Sequence, residues 1–209
     1  MPEPDPRSAL LARLRAARVV PVVRTSTAAR AATVVGWLRE AGITIFEITL
    51  TIPDAPALIR DLATDPALLV VAGTVPNAAA ARACLAAGAR FLVAPWVDAS
   101  LAAPCHEAGA TLMLGALTPT EVRAALAAGA DIVKIFPASS AGGPGHLKAL
   151  GSVFPGVAFC PTGGVSPDNV AAYLAAGAAF VGMGGALVDE AKIAAGDRAA
   201  IQAVARQLV

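Results

Sequence analysis

Leu126-Ala-Ala-Gly-Ala-Asp-Ile-Val-Lys-Ile-Phe-Pro137 holds, in twelve residues, the end of an alanine-rich helix, a glycine, and a short apolar strand that carries a lysine. The glycine is the expected helix C-cap, because it adopts a left-handed backbone without steric cost. The same junction recurs as Glu40-Ala-Gly-Ile-Thr-Ile-Phe46, Leu85-Ala-Ala-Gly-Ala-Arg-Phe-Leu-Val93, Glu107-Ala-Gly-Ala-Thr-Leu-Met-Leu114 and Leu174-Ala-Ala-Gly-Ala-Ala-Phe-Val181. The junction glycines, 42, 88, 109, 129 and 177, are separated by 46, 21, 20 and 48 residues. Each long gap reads as a doubled unit, with a break at Asp65-Pro66 or Pro155-Gly156 followed by an apolar run, 68–72 or 157–160.

Together with an opening strand at 19–24, these junctions predict eight strands. Helices of roughly 10 to 15 residues alternate with them, at about 28–41, 54–64, 77–87, 99–108, 118–128, 143–151, 166–176 and 190–207. The strands are unbroken apolar runs, as parallel strands covered by helices are. Eight βα units predict an α/β fold, a single (β/α)8 TIM barrel over residues 1–209 with 1–17 as an N-terminal helix or tail. The alternative is a doubly wound open sheet, but no GxGxxG follows the first strand to support it.

A chain of 209 residues suits one well-cored domain. It is 56% hydrophobic and 15% charged, yet Gly, Pro or a charge interrupts every apolar run. None reaches the roughly 18 to 20 residues that span a bilayer. The start, Met1-Pro-Glu-Pro-Asp-Pro-Arg7, is charged and proline-rich and leads into no signal-peptide core. A soluble, cytoplasmic protein without a membrane partner is expected. A net charge of +1, with no basic cluster interleaved with aromatics, argues against nucleic acid. Cys84, Cys105 and Cys160 are scattered without CxxC spacing and read as reduced structural thiols. His106 and His146 lie in helical segments without ligand partners at useful spacing, so no metal site is expected. Alanine-rich helices with little charge leave apolar surface, which favours self-association.

In a barrel of this kind, catalytic groups collect where strands end and βα loops begin. Lys134 lies late in the sixth strand and is one of only three lysines; Lys148 and Lys192 fall on alanine-rich helical segments. Desolvation favours a lysine's neutral amine, the form that attacks carbonyls, so Lys134 is a candidate Schiff-base nucleophile. The structural alternative is a lysine snorkelling to the strand end. Glu47, between Phe46 and Ile48, is costly to bury alone. Strands two and six feed the same mouth, so Lys134 is its expected partner.

Arg24 ends the first strand, Thr49 and Thr51 the second, and Gly73-Thr74 the third. Asn77, Ser166 and Thr118, the last with Pro119 and Glu121 behind it, read as helix N-caps. Thr74 is either a satisfied loop hydroxyl or part of the site. Thr162-Gly163-Gly164 and Gly182-Met-Gly184-Gly185 follow strands seven and eight, where barrels bind phosphate on backbone N–H groups. A carbonyl-attacking lysine, a carboxylate for proton transfer and a phosphate site suggest a class I aldolase or a related Schiff-base lyase. That route calls for no metal or cofactor.

At these residues the chain resembles the 2-keto-3-deoxy-6-phosphogluconate (KDPG) / 4-hydroxy-2-oxoglutarate (KHG) aldolase family. The resemblance runs from about residue 19 to 190. It rests on Glu47-Ile-Thr-Leu-Thr51, Ala72-Gly-Thr-Val75, Thr118-Pro-Thr-Glu121, Val133-Lys-Ile-Phe-Pro-Ala138, Gly142-Gly-Pro-Gly-His-Leu-Lys-Ala-Leu150 and Cys160-Pro-Thr-Gly-Gly-Val165. It implies that Lys134 forms an imine with pyruvate and that Glu47 shuttles protons. It places Thr74 and Thr162 at the pyruvate end, where Arg24, Thr51, Pro95 and Phe136 are also expected, and Gly163, Gly164, Gly184 and Gly185 around the phosphate. The implied reaction cleaves 2-keto-3-deoxy-6-phosphogluconate to pyruvate and D-glyceraldehyde 3-phosphate in the Entner–Doudoroff pathway. The implied assembly is a homotrimer.

The chain departs from the family pattern at several positions. Thr51 stands where some members carry an arginine that clamps the pyruvate carboxylate, and Arg24 is the candidate replacement, as in the related 6-phosphogalactonate aldolases. Ala94-Pro95-Trp96 replaces Ser-Pro-Gly, which puts an indole near the mouth, and Gly185 stands where a serine is common. The same imine chemistry on the galactonate epimer, on 4-hydroxy-2-oxoglutarate or on a non-phosphorylated sugar acid is the alternative. A non-catalytic barrel that binds phosphorylated metabolites is the outside alternative, against which the Lys134/Glu47 pair argues.

Overall fold

The computed structural model of the chain describes residues 6–208. Eight strands form one parallel sheet: β1 (Val19–Val23), β2 (Ile45–Thr49), β3 (Leu69–Gly73), β4 (Phe91–Ala94), β5 (Thr111–Ala116), β6 (Ile132–Ile135), β7 (Phe159–Pro161) and β8 (Val181–Met183). Neighbours in sequence are neighbours in space from β1 to β7, and β8 returns to pair with β1. A parallel bridge between Thr162 and Gly182, just past β7 and within β8, closes the ring. The fold is the (β/α)8 barrel that the repeated junction predicts.

Helices wrap the outside: α2 (Ala28–Glu40), α3 (Ala55–Ala63), α4 (Ala78–Ala86), α5 (Ala102–Glu107) after a 3₁₀ turn at Ala99–Leu101, α6 (Pro119–Ala127), α7 (Gly143–Val153) and α8 (Val170–Ala175). All five junction glycines have positive φ, from +64° at Gly109 to +103° at Gly177. The leading segment is α1 (Pro6–Ala17); residues 1–5 of the expected helix or tail lie outside the described residues.

Two helix predictions need correction. The helix expected at 190–207 is two, α9 (Glu190–Ala194) and α10 (Arg198–Arg206), because Gly196 turns left-handed at φ +70° and the Asp197 carboxylate recaps the chain by accepting from the Ala200 N–H. The helix expected from 166 begins at Val170, and Ser166 is no side-chain cap. Instead Asn169 Oδ1 accepts from the Ser166 N–H and its amide donates to the Gly164 carbonyl, holding the segment as a turn. The caps expected at Asn77 and Thr118 are present, the latter as a reciprocal capping box with Glu121.

Side chains alternate across each strand, which divides the core in two. One set packs outward against the helices. The other fills the barrel with Val20, Ile45, Val71, Phe91, Met113 and Ile132, and Leu14 of α1 joins that inner cluster from the N-terminal end. No helix among the described residues is long and apolar enough to cross a membrane.

Candidate active site

Alternation also decides which side chains reach the mouth. Ile132 faces inward, so Lys134 and Phe136 do too; Ile45 faces inward, so Glu47 and Thr49 follow. β2 and β6 are four strands apart in a ring of eight, and thus on opposite walls. Lys134 and Glu47 reach across, with Nζ 3.3 Å from Oε1, at 4% and 2% exposure. The partnership expected from the cost of burying either charge alone is therefore present. The Lys134 ammonium also lies 5.7 Å from the centroid of the Phe136 ring.

Glycines on neighbouring strands make the room. A Cβ on Gly73 would overlap the Glu47 carboxyl group, and one on Gly182 would overlap the Thr162 hydroxyl. Gly115 pairs in register with Lys134, and a Cβ there would strike the Pro95 backbone. A larger residue at any of the three would displace its neighbour. Cys160 sits below Thr162, Sγ 3.8 Å from its Oγ1. Burial pushes its thiol up to about 12, an effect only partly offset by Lys134.

A cavity of about 660 Å³ opens from this pair toward solvent. Arg24, Lys134, Phe136 and Thr162 line it together with Gly163, Gly164, Gly184 and Gly185. Nine of the twelve residues expected at the site thus meet: these eight, with Glu47 behind Lys134. Arg24 is exposed and forms no hydrogen bond or ion pair among the described residues, so its guanidinium is available to an anion. Gly163 and Gly164 have φ of +91° and +74°, and a Cβ on Gly164 would collide with Ser139. Gly184 and Gly185 face open space. Without side chains of their own, these two glycine segments bring main chain to the cavity wall, the requirement for binding an anion through backbone N–H groups.

The other three expected residues lie at the mouth outside the cavity wall. Thr51 donates to Thr49 Oγ1 at 2.8 Å, and the Thr49 hydroxyl in turn donates to the Val23 carbonyl at 3.0 Å. Thr74 is half-buried and makes no side-chain hydrogen bond to the described residues, and its φ is +57°, a strained conformation for a β-branched residue. Pro95 lines a separate depression of about 360 Å³ with Trp96, Gly115 and Phe136. The Trp96 indole, 45% exposed, borders that depression rather than narrowing the main cavity.

Two features escaped the sequence reading. Gly73 was visible as the glycine of Ala72-Gly-Thr, and glycine in a strand signals close approach. Glu190 lines the cavity and bonds to Ser26 and Arg30, more than 150 residues away in sequence, with no local pattern to reveal it. His146 Nε2 lies 2.7 Å from the Leu117 carbonyl, and His106 Nε2 lies 3.5 Å from Asp131 Oδ2. Among the described residues no three His, Cys, Asp or Glu side chains are grouped to hold a metal ion.

Residues 10–204 match the family model described as KDPG and KHG aldolase. The chain is 34% identical over 192 residues to a 2-dehydro-3-deoxy-phosphogluconate aldolase of Pseudoalteromonas atlantica, covering 91% of this chain and 89% of that one. It is equally similar to the KHG/KDPG aldolase of Escherichia coli, covering 91% and 90%. Among solved structures, a KDPG aldolase from Legionella pneumophila, with pyruvate captured as a covalent carbinolamine, superposes with a TM-score of 0.86. That protein is 33% identical, over 95% of this chain and 97% of its own. With the barrel, the buried lysine–carboxylate pair and these likenesses together, the chain belongs to the KDPG and KHG aldolase family.

Proposed function

We propose that the chain is a class I aldolase that cleaves 2-keto-3-deoxy-6-phosphogluconate to pyruvate and D-glyceraldehyde 3-phosphate. The observation that carries this reading is the Lys134–Glu47 pair at the base of an open cavity. The Lys134 amine adds to the C2 carbonyl, and loss of water from the carbinolamine leaves an iminium that withdraws electrons from C3. Glu47 takes the C4 hydroxyl proton, the C3–C4 bond breaks, and the aldehyde leaves an enamine behind. The same carboxyl group returns the proton to C3. Water then hydrolyses the iminium, releasing pyruvate and regenerating Lys134.

Around this centre Arg24 anchors the substrate carboxylate, with Phe136 and Thr162 against the three-carbon end and Thr51, Thr74 and Pro95 flanking the mouth. The phosphate rests on backbone N–H groups of Gly163, Gly164, Gly184 and Gly185. Support comes from the cavity lining, which combines Arg24, unpaired among the described residues, with glycine backbone at 163–164 and 184–185. The working unit in this reading is one (β/α)8 domain over residues 1–209, assembled as a homotrimer. The exposed Trp96 and Val153 are candidates for the contact. A cytoplasmic place in the Entner–Doudoroff pathway fits a phosphorylated substrate and three buried free thiols.

The position of Arg24 favours a second substrate, the 4-epimer 2-keto-3-deoxy-6-phosphogalactonate, because the carboxylate anchor comes from β1 rather than from position 51. Pyruvate release coupled to lactate dehydrogenase tests both epimers and 4-hydroxy-2-oxoglutarate side by side. Turnover of a phosphorylated epimer, abolished by Lys134→Met, is expected. Retained turnover in Lys134→Met contradicts the assignment, and sedimentation velocity tests the trimer.

A further inference from the structure

Two neighbouring segments of the cavity rim meet where β8 pairs with β1. Arg24 leads into the β1–α2 loop on one side, and Gly184 through Ala191 bring β8 into α9 on the other. The β1–α2 loop is braced by its own hydroxyls: Thr25 Oγ1 donates to the Thr27 carbonyl at 2.9 Å, and Thr27 caps α2 by accepting from the Arg30 N–H. Ser26 is turned outward from this brace and meets Glu190. Glu190 Oε1 accepts from the Ser26 N–H at 3.2 Å, from Ser26 Oγ at 2.7 Å and from Arg30 Nη1 at 2.7 Å. Arg30 Nη1 also donates to Ser26 Oγ at 2.7 Å, which closes the network. Glu190 Oε2 is enclosed and has no partner.

An isolated ion pair at 41% and 38% side-chain exposure contributes little. Here one oxygen collects three donors from Ser26 of the braced loop and Arg30 in the first turn of α2, and the donors hold the Glu190 carboxyl group below the usual carboxylate range despite the opposing effect of desolvation, the largest single cause. Asp189, next to it, is spent on capping α9 through the Ala191 and Lys192 N–H groups. Glu190 is therefore a polar tie between the end of the β8 segment and the adjacent β1–α2 segment.

We propose that Glu190 and Arg30 are positioning residues that pin the Gly184–Gly185 wall to the β1–α2 loop and so set the reach of the cavity for a substrate with a distal phosphate. The inference rests on the Schiff-base reading above. A carboxylate beside a phosphate site acts electrostatically against the anion, so simple charge removal would improve binding. A pin predicts the opposite sign.

The test compares Glu190→Ala, Arg30→Ala, the double variant and Glu190→Gln in the full chain, each checked for wild-type circular dichroism. Expected is a rise in KM for the phosphorylated substrate of roughly three- to tenfold in each alanine variant, with kcat within about twofold and the double variant no worse than either single one. Glu190→Gln, whose amide oxygen still accepts from Ser26, recovers most of the KM. Borohydride trapping of pyruvate on Lys134 stays at the wild-type level. If Glu190→Ala misfolds, Arg30→Ala carries the same prediction. An unchanged or lowered KM, or additive effects, with trapping intact overturns the positioning role alone. Absence of trapping in the wild-type protein overturns the Schiff-base reading and the inference with it.

Discussion

Lys134 and Glu47 come from opposite walls of the barrel and meet 3.3 Å apart at its centre, each almost wholly buried. Each is the compensation for the other's burial, and neither is stable there alone. The pair is consequently a structural element as well as the proposed catalytic one, which makes its two roles separable by mutation.

Lys134→Met leaves Glu47 buried without its cation and is expected to cost about 3–5 kcal/mol. Adding Glu47→Leu removes the stranded charge and recovers most of that loss, while activity stays absent. Thermal denaturation of the single and double variants checks this; a double variant less stable than Lys134→Met contradicts it.

Gly73→Ala places a methyl group where the Glu47 carboxyl group lies. The carboxylate must move away from the C4 hydroxyl of the substrate. A kcat loss on the order of 100-fold is expected, within the range that a positioned acid–base group supplies. Circular dichroism and steady-state kinetics on the same preparation separate this from unfolding.

Arg24 and Thr51 make opposite predictions. Arg24→Ala removes a cavity-wall cation that is unpaired among the described residues and should raise KM roughly ten- to 100-fold, the worth of a charge-assisted hydrogen bond. Thr51→Ala removes an exposed hydroxyl whose partner among the described residues is Thr49 and should leave KM within about twofold. A larger effect at Thr51 than at Arg24 contradicts the assignment of the carboxylate anchor.

Burial raises all three thiols, Cys84 to about 11 and Cys105 and Cys160 to about 12. Each is an acid whose folded value lies above its ordinary value of 9.0, so each favours the folded state fully below pH 9. That contribution falls as pH rises past 9 and the unfolded thiols ionise. Titration with a thiol reagent at pH 8 should label no cysteine in the native protein and three after denaturation. Thermal stability should decline above pH 9 less steeply in Cys160→Ala than in the wild type, once the loss of packing common to all pH values is subtracted.

The barrel was legible because its grammar is local: Ala-Gly ends a helix and an apolar run begins a strand, five times over. Once the strands are placed, strict alternation carries Glu47, Lys134, Phe136 and Thr162 to the inside with no tertiary information. The segment 190–207 reads as one helix although Ala195-Gly196 carries the same helix-ending signal; the glycine ends α9, and Asp197 caps a second helix instead of leading into a strand. Ser166 misled too, since Asn169 is equally able to bond the backbone and sits one residue before the helix. Thr74 gave no signal, because a β-branched residue in the left-handed region is held there by its surroundings rather than by its own preference. The Ser26–Glu190 contact spans 164 residues and follows only from closure of the ring, which brings the β1 loop beside the β8 loop.

Incubation with pyruvate, borohydride reduction and peptide mass spectrometry test the central claim most directly. The Schiff-base account predicts one stable pyruvate adduct, on Lys134, and none on Lys148 or Lys192. A folded protein that forms no adduct, or carries it on another lysine, contradicts that account.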